Sequence, residues 1–65
     1  MKSKILELRC CDYDKASTNI QTIREWIHDM YKYIYDEDIM DDALNKMSDS
    51  ELKELIDELD WLSWK

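Results

Sequence analysis

The sequence predicts a small, mainly α protein, a bundle of three to four short helices in one domain over residues 1–65. Apolar residues recur at helical spacing in two long segments, and a helix-capping signal precedes each of them. The chain contains neither glycine nor proline, which excludes glycine-based phosphate loops and two-residue Asn-Gly or Asp-Gly hairpin turns. Together these observations favour abutting helices joined by short links.

The middle of the chain predicts the clearest helix, from about Thr18 to Tyr35. Thr18 and Gln21 have the spacing of a capping box, in which a hydroxyl and an amide each satisfy a backbone N–H at the helix start. With about 100° between successive residues, one broad face of this segment is apolar. That face contains Ile20, Ile23, Trp26, Ile27, Met30, Tyr31 and Ile34.

Residues 36–47 continue the helical spacing, and we expect a break near Tyr35–Asp38 to separate them from the middle helix. Their apolar side is formed by Ile39, Met40, Ala43, Leu44 and Met47. A second capping box, Ser48 with Glu51, predicts a last helix that runs to about Trp64. Its apolar stripe is formed by Leu52, Leu55, Ile56, Leu59 and Leu62.

The two long helices are expected to build a hydrophobic seam, both as a core and between two copies of the chain. A second copy is expected because so short a chain buries too little apolar surface to offset the entropy of ordering it. Cys10 and Cys11 offer no substitute, since a bridge between neighbours is strained and closes almost no loop. The lack of a disulfide framework favours a cytoplasmic location. The seam residues are Ile23, Trp26, Ile27, Met30, Ile34, Leu52, Leu55, Ile56, Leu59 and Leu62.

The N-terminal segment Lys2–Cys11 fits two structures. Leu6, Leu8 and Cys10 alternate with charged residues, as in a strand, whereas its Leu and Glu residues equally favour a helix. We favour a short first helix. The alternative is a strand that pairs with the same strand of a second copy.

Nearly all the negative charge lies in the C-terminal half. Residues 36–65 hold eleven acidic side chains against three lysines, a net charge of −8, while the whole chain carries −7. Acids three or four positions apart share a helix face and destabilise an isolated helix. They form either a solvated, solubilising face or a surface for a basic protein partner. The two sets are Asp38, Asp41 and Asp42, and Glu54, Asp57, Glu58 and Asp60.

Trp61 and Trp64 lie off the leucine stripe of the last helix. Tryptophan is enriched at the energetic centres of interfaces, and the surrounding acids would form a polar rim. The competing interpretation is that the C-terminus folds back and packs both rings onto the core. We assign partner binding to Trp61, Trp64, Asp57, Glu54, Asp38, Asp41 and Asp42.

No motif predicts catalysis, a cofactor or a metal site. A calcium loop starting at Asp36 would place Met40, Asp41 and Met47 where it needs an oxygen ligand, glycine and glutamate. His28 is the only histidine, and Cys and His residues are too few and wrongly spaced for zinc. The acidic net charge disfavours direct binding to nucleic acid or to anionic membrane surfaces. We therefore expect no enzyme activity, no cofactor, no metal, and neither nucleic acid nor membrane as a direct partner.

The chain is tiny, acidic and mostly helical, is rich in Lys, Ile, Asp and Tyr, and has no catalytic motif. In this it resembles small phage-encoded host-takeover and anti-defence proteins. The resemblance is one of composition over the whole chain, and it implies binding to restriction, BREX or CRISPR components, or to the polymerase, in a bacterial host. The leading hypothesis is thus a non-enzymatic protein that inhibits or modulates a larger host protein. The alternatives are a DNA mimic in a basic nucleic-acid-binding groove, and a structural or antitoxin-like accessory subunit.

The size of the chain generates a prediction about its oligomeric state. Sedimentation at micromolar concentration is expected to give a mass about twice 8.0 kDa, because a second copy would supply the apolar burial that one copy lacks. A monomeric mass at that concentration would contradict the homodimer.

Overall fold

Four α-helices follow a short 3₁₀ turn near the start of the chain. The turn spans Ile5–Glu7, and the helices are α1 (Cys10–Tyr13), α2 (Ile23–Tyr35), α3 (Asp41–Lys46) and α4 (Asp49–Ser63). The structure is a computed structural model, and it describes residues 4–64. Helices make up most of this range and no strand forms within it, so the mainly α prediction is confirmed.

α2 begins at Ile23, so the predicted start near Thr18 is wrong. Thr22 is the N-cap, and its hydroxyl accepts the backbone N–H of Glu25 at 3.2 Å. The sequence thus holds two capping patterns four residues apart, and the later one caps the helix. As a consequence Ile20, which we placed on the apolar face, lies before the helix and is 70% exposed.

Residues 14–22 form a loop because their polar side chains bond to the nearby backbone. Asp14, Ser17 and Asn19 each accept the backbone N–H two residues later, at distances of 2.9–3.1 Å. Local bonds of this kind compete with helical hydrogen bonds. They explain why α2 starts only after this loop.

The same loop also pairs with the N-terminal segment. The backbone N–H groups of Cys10 and Cys11 donate to loop carbonyls at 2.8 and 3.0 Å, and Arg9 and Thr22 form one isolated antiparallel bridge. In the described part of Lys2–Cys11, residues 4–11, the chain forms a 3₁₀ turn and the start of α1, whereas Lys2 and Ser3 lie outside the described residues. No strand is present in the described part of this segment, where the N–H groups of Cys10 and Cys11 donate to carbonyls of the same chain.

α2 ends at Tyr35, which agrees with the predicted break. Asp36 caps it in the left-handed conformation, with φ of 54°, and its N–H donates back into the last turn at 2.9 Å. Glycine usually occupies this position, and aspartate is among the few other residues that adopt it. The apolar side predicted for residues 36–47 forms only in part, because Leu44 is buried whereas Met40 and Ala43 are exposed.

α4 matches the last helix predicted from the sequence. The hydroxyl of Ser48 accepts the N–H of Glu51 at 3.2 Å, and the carboxylate of Glu51 accepts the N–H of Ser48 at 3.1 Å. This reciprocal pair satisfies two donors at the helix start. The helix runs to Ser63, and Trp64 is its C-cap.

Nine buried side chains form the core of the described residues. They are Ile5, Leu6, Cys10, Ile23, Ile27, Leu44, Leu52, Ile56 and Leu59. Five of these lie on α2 and α4 and belong to the seam assigned from the sequence. The other seam residues are half-buried: Trp26, Met30, Ile34, Leu55 and Leu62. The remaining core residues come from the 3₁₀ turn, α1 and α3, which are too short to show a clear helical period.

The position of the α2 cap can be tested with two matched threonine variants. Thr22→Ala is expected to lower the free energy of unfolding by about 0.5–2 kcal/mol, because it removes the acceptor for the Glu25 N–H. Thr18→Ala changes the same side chain in the loop and is expected to stay within about 0.5 kcal/mol of wild type. Urea unfolding followed by circular dichroism measures both. A larger loss for Thr18→Ala than for Thr22→Ala would contradict the helix start at Ile23.

Candidate protein-binding surface

α4 has two chemically different faces. Leu52, Ile56 and Leu59 are buried in the core. On the opposite side, residues at spacings of three, four and three positions form one strip along the helix. We call this strip the outer face of α4; it consists of Glu54, Asp57, Trp61 and Trp64, all of which are exposed.

The two tryptophans of the outer face are mostly exposed to solvent. Trp61 is 60% exposed and Trp64 is 83% exposed, so the C-terminus does not fold back to bury the rings. The backbone N–H of Trp64 donates to the carbonyl of Trp61 at 3.2 Å, which keeps the last residue of the strip in line with the helix. By contrast, Trp26 is packed against the core. Because tryptophan is on average a well-buried residue, an exposed pair presents an unusually large apolar area to solvent.

Carboxylates surround these two rings. None of the acids of α4 forms an ion pair with another residue in the range 4–64. The helix contains one basic residue, Lys53. Like charges three or four positions apart oppose helix formation, so α4 depends on its capping box and its buried stripe. The outer face therefore presents apolar rings within a negatively charged surface. The surrounding acids are Glu54, Asp57, Glu58 and Asp60.

The three acids of the other set predicted from the sequence, Asp38, Asp41 and Asp42, differ in their contacts. One oxygen of Asp41 lies 3.0 Å from the guanidinium of Arg24 and 2.7 Å from Nε2 of His28. Asp38 and Asp42 are exposed, on the link before α3 and on α3 itself. Asp41 is thus engaged within the molecule, whereas no ion pair within residues 4–64 occupies Asp38 or Asp42.

Arg24 connects three elements of the fold. It donates to Asp41 and Glu7 at 3.0 Å each and to Asn45 at 2.9 Å, so it holds the 3₁₀ turn and α3 against α2. The hydrogen bond from His28, and then that from Arg24, lowers the pKa of Asp41. The hydrogen bond to Asp41 in turn raises the pKa of Arg24. The cluster is a structural clamp in which the carboxylates of Asp41 and Glu7 hold the guanidinium of Arg24.

A cleft of about 590 Å³ opens beside the outer face. It lies between α4 and the loop of residues 14–22, and Asp57 belongs both to the cleft and to the outer face. Tyr13 lines it, and burial, with a smaller effect from Asp57, raises the pKa of this phenol. The loop wall of the cleft was not predicted from the sequence. The signal for it was the run of Asp14, Ser17 and Asn19, which are typical of side-chain-to-backbone turns.

The described residues include side chains of the types that bind metal ions, but these side chains are not clustered. No three His, Cys, Asp or Glu side chains among residues 4–64 are grouped to hold a metal ion. Cys10 and Cys11 are free thiols, and burial raises the pKa of Cys10, which disfavours its nucleophilic thiolate. None of the helices between residues 4 and 64 combines the length and apolar character that crossing a membrane requires.

The clamp around Arg24 predicts a pH-dependent effect of Asp41→Asn. A carboxylate whose pKa is lower in the folded protein contributes stability above its unfolded pKa, and this contribution is lost as the pH falls through the folded value. Since the ordinary pKa of the Asp41 carboxyl is 3.8, the loss in urea midpoint that the variant shows at about pH 5 is expected to shrink as the pH falls below 3.8. Asp42→Asn removes the same charge from the neighbouring residue and is expected to show no such trend. A deficit for Asp41→Asn that stays constant at all pH values would contradict the clamp.

The chain was compared with known proteins at three levels. Comparisons with protein-family models, with curated proteins and with solved structures found no match. The function proposed below is therefore supported by the geometry and the charge of this chain itself.

Proposed function

We propose that this chain is a non-enzymatic binding protein that inhibits or modulates a larger protein. Its docking surface is the outer face of α4, with Trp61 and Trp64 as apolar anchors and Glu54 and Asp57 as an acidic rim. The partner surface is basic and contains an apolar recess for the two rings. This role agrees with the phage-type anti-defence and host-takeover proteins that the composition resembles.

The observation that carries this proposal is the exposure of Trp61 and Trp64 on a helix whose opposite face contains the buried Leu52, Ile56 and Leu59. Transfer of two tryptophan side chains from water into an interface contributes on the order of 5 kcal/mol before the costs of association. Contributions of that size are typical of the few residues that dominate protein interfaces. Acids around the rings add steering towards a basic partner.

The proposed homodimer uses a different surface. Two outer faces would oppose their unpaired carboxylates, and like charges across an interface are repulsive. We therefore assign the dimer seam to the half-buried apolar residues of α2 and α4. These residues are Met30, Ile34, Leu55 and Leu62, whereas Trp26, the fifth half-buried seam residue, lines the cleft beside α4.

A DNA mimic is the second candidate, and the carboxylates of α4 are the observation that favours it. Rows of acids imitate phosphates, and a mimic is released from its target by DNA and by salt. In the outer face, however, the acidic row of Glu54 and Asp57 ends at Trp61 and Trp64. Indole rings suit an apolar recess better than a phosphate-binding groove. Binding through the two tryptophans is therefore better supported than DNA mimicry. An antitoxin-like or structural accessory subunit differs from both in having a mainly hydrophobic, salt-insensitive interface.

Replacing both anchors is expected to abolish tight binding. The tagged wild-type chain captures its partner from an extract of the native host, and calorimetry on the purified pair gives the Kd. Trp61→Ala combined with Trp64→Ala is expected to raise the Kd at least about 100-fold, which corresponds to about 2.7 kcal/mol. Tyr33→Ala, which removes a 79% exposed aromatic residue from α2, is the matched control and is expected to leave the Kd unchanged.

The outcomes separate the candidate functions. A Kd that the double tryptophan variant leaves unchanged contradicts docking through the outer face. Weaker binding at about 0.5 M salt is expected from the acidic rim. Competition by duplex DNA would identify a mimic, and binding that ignores salt would identify an accessory subunit. Loss of the dimer mass in the double variant would contradict the separate dimer seam.

A further inference from the structure

The cleft beside α4 is continuous with the outer face through Asp57. One wall is the turn of α4 that carries Asp57 and Asp60, and the other is the start of the loop at Asp14. Trp26 and Tyr13, both half-buried, line the interior. A segment that docks on the outer face therefore passes the mouth of the cleft.

The charges that line the cleft favour a cation. Three carboxylates, on Asp14, Asp57 and Asp60, are opposed by one ammonium group, on Lys15. Neither the carboxylate of Asp57 nor that of Asp60 forms an ion pair within residues 4–64, and Lys15 forms none either. Asp14 accepts the N–H of Ala16 at 3.0 Å, which fixes its carboxylate in the loop. The cleft thus holds two carboxylates that no cation of the described chain neutralises.

The aromatic lining distinguishes this cleft from a plain acidic surface. Trp26 and Tyr13 supply π-systems within the same concavity as the carboxylates. A guanidinium group stacks on aromatic rings and forms paired hydrogen bonds to carboxylates, whereas an ammonium group makes only point contacts. A volume of about 590 Å³ lies within the range of ligand sites in proteins, roughly 300–1,000 Å³. The combination of shape, charge and aromatic lining matches an arginine side chain.

We propose that the cleft binds an arginine side chain of the docked partner, with its guanidinium between Asp57 and Asp60 and against Trp26. This inference rests on the proposed function and specifies what the partner presents. The partner presents an arginine beside the apolar recess that receives Trp61 and Trp64. The arginine supplies the counter-charge, and the tryptophans supply the apolar area of the same interface.

The probe for this site is N-acetyl-arginine amide, titrated into the full chain and followed by ¹H–¹⁵N NMR. Saturable shifts are expected at the indole N–H of Trp26 and at the backbone N–H groups of Tyr13 and Asp57. The neutral isostere N-acetyl-citrulline amide is expected to bind at least about fivefold more weakly, because it cannot form charge-assisted hydrogen bonds.

Two double variants test the carboxylates. The double variant Asp57→Asn with Asp60→Asn is expected to raise the Kd of the arginine probe at least about fivefold. Glu37→Gln with Asp38→Asn removes the same two charges from the exposed link after α2 and is expected to leave binding unchanged. Equal binding of the citrulline probe, or equal weakening by both double variants, would overturn the arginine site.

The same titration distinguishes this inference from the proposed function. Trp61→Ala with Trp64→Ala is expected to bind the arginine probe as wild type does while losing the partner. If wild type shows no shifts at Trp26, the arginine site fails even where the tryptophans prove essential for the partner. If the probe binds in the cleft but the tryptophan variant keeps the partner, the docking proposal fails and the site stands.

Discussion

The packing of α4 against α2 is the contact on which the rest of the structure depends. Leu52 and Leu59 of α4 are fully buried in the same cluster as Ile23 and Ile27 of α2. Burial of each such side chain contributes about 1.5–3 kcal/mol. The 3₁₀ turn, α1 and α3 are too short to be stable as isolated helices. They persist because Leu6, Cys10 and Leu44 fill the same core.

So short a chain can bury only one face of each helix. The opposite side of α4 is therefore left exposed as its outer face. The stripe through Leu52, Ile56 and Leu59 and the cap at Ser48 stabilise a helix whose other side carries mutually repelling carboxylates. Trp61 and Trp64 add apolar area on that side without adding to the core. The surface proposed for partner binding thus depends on the opposite face for its shape, and the cleft beside it depends on the loop that precedes α2.

The elements that the sequence predicted are those encoded by neighbouring residues. Ser48 with Glu51 and the leucine stripe define α4 locally, and helical angles alone place Trp61 and Trp64 away from that stripe. The start of α2 was mispredicted because two capping patterns compete, and the choice follows from the side-chain bonds of the loop before Thr22.

The remaining features depend on residues far apart in the sequence. Asp41 was assigned to partner binding because local sequence patterns do not reveal the residues that it contacts. Those residues, Arg24 and His28, lie 17 and 13 positions away in the sequence. The cleft likewise exists only once α4 packs beside the loop. Local patterns therefore predicted the outer face, whereas the clamp and the cleft required the tertiary structure.

The free energy of unfolding tests most directly whether the two faces of α4 have separate roles. Urea unfolding at low micromolar concentration compares Leu59→Ala with Trp61→Ala combined with Trp64→Ala. We expect the free energy of unfolding to fall by about 2–5 kcal/mol, or the folded state to be lost, for Leu59→Ala. For the tryptophan pair we expect a loss below about 1 kcal/mol, since both rings are exposed. A loss for the tryptophan pair as large as that for Leu59→Ala would show that the rings belong to the core, and would contradict separate roles for the two faces of α4.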